Sequence, residues 1–266
     1  MKSKLLLITG VITLLAVVFV GCSKAQDKEI ESTTLLEAIQ ETGVIRIGTE
    51  GTYAPFTFHD EAGDLTGFDI DIALEVANRL GVKAEFIETK WDGMFAGLDA
   101  KRFDAVVNEV TIREDRLEKY DFSDPYIVSK AVLIVGEDND EIASFEDLEG
   151  KKSGQSLTSN LGDIAISFGA ELVAVDGFNQ AIDLLTSNRI DATINDSLSF
   201  LDYKKQRPEV PISVVAQMDT LDKNGILFNK GNETLVEAVN KALKEMQEDG
   251  TYLEISQKWF GDDVSK

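Results

Sequence analysis

Two stretches of this chain align with each other without a gap, and that constrains the fold more than any other feature. WDGMFAGLDAKRFDAVVNE, from Trp91, matches FNQAIDLLTSNRIDATIND, from Phe178; it pairs Leu98 with Leu185, Arg102 with Arg189, Asp104 with Asp191, Asn108 with Asn195 and Glu109 with Asp196. Each copy reads as a helix, a tight turn and a buried strand that ends in asparagine and an acid. In open α/β sheets ligands bind beyond the carboxyl ends of the strands. Two such units facing each other would bring Glu109 and Asp196 to one shared cleft.

The rest of the chain supports an α/β fold. Short β-branched runs (Val44 to Gly48, Ala84 to Ile87) alternate with helical patterns (Asp69 to Leu80, stopped by Gly81, and Asp92 to Ala100). A second series follows, with strands at Ala131 to Val135, Leu172 to Val175 and Ala192 to Ile194, and helices over Phe178 to Ser187 and from Ser197. Alternation of this kind predicts parallel α/β architecture. In the helix after Gly67, Ile70, Ala73, Leu74, Ala77 and Leu80 are expected on the core face. Asn232 to Asp249 and Tyr252 to Trp259 read as closing helices.

Residues 1–21 place Lys2 and Lys4 before an apolar run, the layout of a secretory leader. The run ends in Phe19-Val20-Gly21-Cys22, which resembles a lipoprotein lipobox with Phe19 where Leu is usual, so Cys22 is the expected lipidation site. An uncleaved membrane helix is the alternative. Either way the remaining chain is expected outside the cytoplasm, anchored to the outer face of the cell membrane. Residues 22–33 are polar and aperiodic and read as a tether reaching on the order of 20 Å.

A formal net charge of −22 repels phosphate backbones, which excludes nucleic acid as a partner. Catalysis is not expected. The lone histidine, His59, lies in the turn-like HDEAGD; the sole cysteine is Cys22; and GxSxG, HExxH and Gly-rich phosphate loops are absent. No metal or cofactor is expected, and the product of folding should be a monomer.

What remains suits a zwitterion. Arg116 can grip a carboxylate through two hydrogen bonds, although an arginine in a charged helix can equally be a surface residue. Asp196 can accept from an ammonium or simply cap the helix that follows. Thr158 and Ser159 precede the helical pattern Leu161 to Phe168, where they cap it or expose N–H groups to an anion. Tyr53 and Trp91, in turns before helices, are candidate pocket walls, and Phe58 is expected in the core.

The segments GTEGTYAPFTFHDEAGDLTGFDIDIALEVANRLG and ETKWDGMFAGLDAKRFDAVVNEVTIREDRLEKYDFSDPY, with NRIDATIND and EMQEDGTYLEISQKWFG later, resemble the family-3 solute-binding proteins of polar amino-acid importers. The resemblance implies a type II periplasmic-binding-protein-like fold. Two α/β lobes, residues 34–126 with 225–266 and residues 127–224, would be joined by two crossover strands near Ile127 to Lys130 and Asp219 to Asn224. It implies Arg116, Thr111 and the Thr158-Ser159 turn for the ligand α-carboxylate, and Asp196 with Glu109 for the α-ammonium. Tyr53 and Trp91 would sandwich the ligand, with Phe56 alongside and Glu50 at the mouth. An ABC permease with a cytoplasmic ATPase is the implied partner.

EGTYAPF, TKWDGM and NxVT together look most like the cystine-binding members, so cystine is the expected ligand. Glu109 stands where those members often have Gln, which keeps another polar or cationic amino acid open as the alternative. A dehydratase built on the same fold, or a sensor module with an attached signalling domain, are the other readings.

Overall fold

Val44–Thr49 is the organising strand of the first lobe in this computed structural model, which describes residues 33–266. The leader, Cys22 and the tether through residue 32 lie outside the described residues. Val44–Thr49 pairs in parallel with Lys83–Glu88 on one side and Ala105–Thr111 on the other. Asp222–Asn229 then joins the sheet antiparallel to Ala105–Thr111 and carries Tyr120–Phe122 on its far side.

Each face of this sheet has its own apolar layer. On one, Phe68, Ile72, Ala73, Val76 and Ala77 of helix Phe68–Arg79 pack with Leu235, Val239 and Met246 of helix Glu233–Asp249. On the other, Trp91, Met94 and Leu98 of helix Trp91–Asp99 pack on Phe103, Val106 and Leu227. Burying each of the larger aliphatic and phenyl side chains here contributes about 1.5–3 kcal/mol. Gly48 and Gly97 sandwich the Phe103 ring so closely that a Cβ on either would meet it at 2.6 Å.

The core stripe of Phe68–Arg79 is rotated from the one the apolar pattern suggests. Ile72 is fully buried, whereas Leu74 is 48 % exposed. The shift puts Asp69 wholly inside, where it is 0 % exposed, and a polar network described below fixes it there.

The second lobe departs from the expected parallel arrangement. Its central three-stranded sheet runs Thr193–Asp196, Ala131–Gly136, Ile212–Gln217 and is antiparallel; Lys152–Gln155 and Glu171–Ala174 pair in parallel, and a parallel bridge from Ser153 to Ala192 links them to it. Ala131–Gly136 runs away from the junction between the lobes, while Thr193–Asp196 runs back to it and sets Asp196 opposite Ala131. A returning strand needs no parallel crossover, and it delivers its carboxyl end to the cleft. Helix Phe178–Thr186 packs on this sheet through Phe178, Ala181, Ile182 and Leu185.

Two strands join the lobes. Ile127–Ser129 pairs antiparallel with the start of Asp222–Asn229, matching Ser129 with Asp222 and Ile127 with Asn224. A paired, two-stranded connection permits hinge bending while it resists independent twisting of the lobes.

Candidate functional site

The carboxyl ends of these strands enclose a cavity between the lobes, with about 730 Å³ of non-atom space including its mouth. The first lobe lines it with Glu50, Thr52, Tyr53, Trp91, Asn108, Glu109 and Thr111; the second contributes Gln155, Ser159, Asn195 and Asp196. Asp222 lines it from the crossing strand.

Arg116 lies in the four-residue helix Glu114–Leu117 and is 6 % exposed. Its guanidinium carbon sits 5.5 Å from the Trp91 ring centroid and 5.2 Å from that of Phe95, and Nη1 donates to the Thr111 carbonyl at 2.9 Å. No carboxylate among the described residues lies within ion-pair distance of it. Burial, with Arg113 nearby, lowers its pKa to about 10, so it stays charged at neutral pH. A buried cation with no anion is costly unless something else supplies the charge.

Asp196 faces this site from the other lobe and is 5 % exposed. It caps helix Ser197–Gln206, accepting from the backbone N–H of Leu198 at 2.7 Å and of Ser199 at 3.4 Å. Capping and lining the cavity therefore coincide. Burial raises its pKa, and these donors act against that rise.

Glu109 and Asp196 lie within hydrogen-bond reach of each other. Glu109 has left-handed backbone (φ 49°) and donates its N–H to Asp69 at 2.7 Å; Asp69 also accepts from the Tyr126 hydroxyl at 2.9 Å. Burial pushes Asp69 up to about 7 and Glu109 well above the usual carboxylate range. Glu50 accepts from Asn108 Nδ2 at 2.8 Å while its own N–H donates to Asn108 Oδ1 at 2.8 Å. Its burial likewise raises it to about 7.

Other candidates fall elsewhere. Phe56 is 0 % exposed behind Tyr53, with ring centroids 5.2 Å apart, and is absent from the cavity wall. Phe58, expected in the core, is half-buried and meets Trp259 edge-on at 5.8 Å. The strand Thr57–His59 alternates inward and outward, so burying Thr57 turns Phe58 to the rim. Thr158 is exposed; its N–H and hydroxyl hold Asp92 at 3.2 and 2.7 Å, while Ser159 caps helix Asn160–Ser167 and lines the cavity. His59 is exposed and paired with Glu88. Asn108, Gln155, Asn195 and Asp222 also line the cavity. The internal alignment that singles out Glu109 and Asp196 pairs Asn108 with Asn195 equally, a signal for two of these four.

Polar bridges cross the cleft around the cavity. Tyr53 donates to Asn195 at 3.0 Å, Lys90 pairs with Asp176 at 2.7 Å, Arg113 pairs with Asp163 at 2.7 Å, and Ser199 donates to the Ala54 carbonyl at 2.9 Å. Arg116 is absent from the cavity wall and packs on Trp91 and the Thr111 carbonyl, whose residues line it. Two lobes in contact over a chamber with a capped acid in its wall and a buried unpaired arginine packed on that wall define a protein that encloses a small charged ligand.

Comparison with known proteins gives the family. The model of the bacterial extracellular solute-binding proteins, family 3, matches residues 45–262, and the chain belongs to that family. It is 44 % identical to the L-cystine-binding protein TcyA of Bacillus subtilis over the whole of both chains. An ancestral arginine-binding protein bound to arginine superimposes with a TM-score of 0.78 at 42 % identity, covering 82 % of this chain and 98 % of that one. The L-cystine solute receptor of Neisseria gonorrhoeae in its unliganded open conformation is 45 % identical, over 88 % of this chain and 99 % of that one, yet reaches only 0.59. That receptor is in an open conformation, whereas the bridges above hold these lobes together.

Proposed function

We propose that this chain is the ligand-capturing component of an ABC-type amino-acid importer and that its ligand is cystine. The observation that carries the reading is Arg116, a buried guanidinium whose missing anion an α-carboxylate would supply, with Asp196 across the cleft to accept from the α-ammonium. Thr111 and Ser159 complete the carboxylate clamp, while Thr158, whose donors are held by Asp92, stands outside it; Tyr53 and Trp91 wall the ligand in. Glu50 stands at the mouth and Phe56 backs Tyr53 from behind.

The lobes are residues 34–126 with 225–266 and residues 127–224, closing about Ile127–Ser129 and its partner strand. The loaded form docks as a monomer on a permease driven by a cytoplasmic ATPase. Cys22 carries the lipid that keeps it at the outer face of the membrane, after removal of residues 1–21. The site is read as one that binds without turnover, which the names of the L-cystine-binding relatives support.

Cystine is supported by the names of TcyA and the gonococcal receptor at 44 % and 45 % identity. A cationic amino acid is the second reading, favoured by the carboxylates of Glu50, Glu109, Asp196 and Asp222 around one cavity and by the arginine-bound neighbour at 42 % identity. Calorimetric titration with cystine under non-reducing conditions, and separately with arginine and lysine, tests both. Saturable heat with cystine alone is expected; heat only with arginine or lysine would replace cystine by the second reading, and silence with all would remove the amino-acid reading.

A further inference from the structure

Glu109 is fixed from several sides. Its Oε1 accepts from Ser129 Oγ at 3.4 Å and from Asn224 Nδ2 at 3.3 Å, one on each strand joining the lobes. Asp69 on helix Phe68–Arg79, Tyr53 in the adjoining turn and Asp196 at the end of its strand are the titratable groups facing it; Tyr126 reaches it through Asp69, and Asp222 stands beyond Asp196. None of these is a cation. The guanidinium of Arg116 lies against Trp91 and Phe95, not here.

Two carboxylates in contact cannot both hold their charge away from water, and one keeps a proton. The donors decide which. Asp196 receives two backbone N–H groups at a helix start, where negative charge is favoured, and has the Ser129 hydroxyl beside it, whereas Glu109 receives two long bonds from Ser129 and Asn224 with the Tyr53 hydroxyl near it and no backbone N–H on its side chain.

We infer that Glu109 enters the closed site as a neutral carboxylic acid that donates its proton to Asp196, leaving Asp196 as the anion that meets the ligand's ammonium. Glu109 is thus a positioning residue, orienting Asp196 and tying it to both crossing strands. The inference rests on the amino-acid reading of the site for the ammonium and, for the proton, on the donors around the two carboxyl groups.

Glu109→Gln, which keeps a donor and removes the ionisable proton, and Glu109→Met, which removes the donor, separate the roles. In cystine titrations at neutral pH, Glu109→Gln is expected to hold affinity within about threefold and Glu109→Met to lose about tenfold or more. The infrared difference between wild type and Glu109→Gln, with and without cystine, should carry a protonated-carboxyl carbonyl band, since the bands of Asp69 and Glu50, both raised to about 7, cancel in the subtraction. Equal losses in the two variants, or a difference spectrum without that band, would overturn the inference. A wild type that gives no heat with any amino acid would overturn the ligand reading instead, and the infrared comparison on the protein alone would still decide the proton.

Discussion

The Tyr53 hydroxyl donates to Asn195 Oδ1 at 3.0 Å, from the short strand Thr52–Tyr53 of one lobe to the returning strand of the other. The bond exists only while the cleft is shut, so it adds to affinity through the closed state and not through ligand contact.

Tyr53→Phe keeps the ring and deletes this bond. One neutral hydrogen bond contributes about 0.5–1.5 kcal/mol, so cystine binding should weaken by about twofold to tenfold. Stopped-flow traces should assign most of that loss to faster release. An unchanged release rate would mean that Tyr53 contributes only as a wall.

Arg113 and Asp163 form another of the bridges across the cleft, with side chains 30 % and 56 % exposed. Exposed pairs contribute about 0.2–1 kcal/mol and are screened by salt. Arg113→Ala should therefore weaken binding by no more than about fivefold, and the wild type's affinity should fall with added salt more steeply than the variant's. Parallel salt series for the two proteins would contradict a role in closure.

Stability should respond to pH through Asp69. Burial raises it from 3.8 to about 7 in the folded protein, so between those values the folded state holds a proton that the unfolded chain has lost. Stability is then greatest below the unfolded pKa and declines as pH rises through about 7. Urea midpoints between pH 5 and pH 8 should fall with rising pH, and Asp69→Asn should flatten that slope; an unaltered slope in the variant would count against this assignment.

Much of this was legible in the residues. Helix Phe68–Arg79 follows from its periodicity and helix Glu233–Asp249 from its amphipathic run, and the strands around Val44 and Ala105 follow from β-branched content. The antiparallel second sheet was not legible, because a strand of Val, Leu and Ile looks the same whichever way its neighbour runs. Phe56 and Phe58 exchanged roles for a similar reason: alternation gives a period but not which phase faces inward. Gln155 and Asp222 carry no local pattern that marks them as cavity residues; tertiary assembly alone brings them there.

The central claim is that one amino acid bridges Arg116 and Asp196 inside a closed cleft, and thermal melting across a ligand panel tests it most directly. A ligand that binds only the native state adds about 2.7 kcal/mol at a hundredfold excess over Kd, a shift of roughly 5–11 °C for a domain of this size. Cystine should produce it under non-reducing conditions, and Arg116→Ala should abolish it while still melting cooperatively. A cooperative Arg116→Ala variant that shifts as far as wild type would contradict the account.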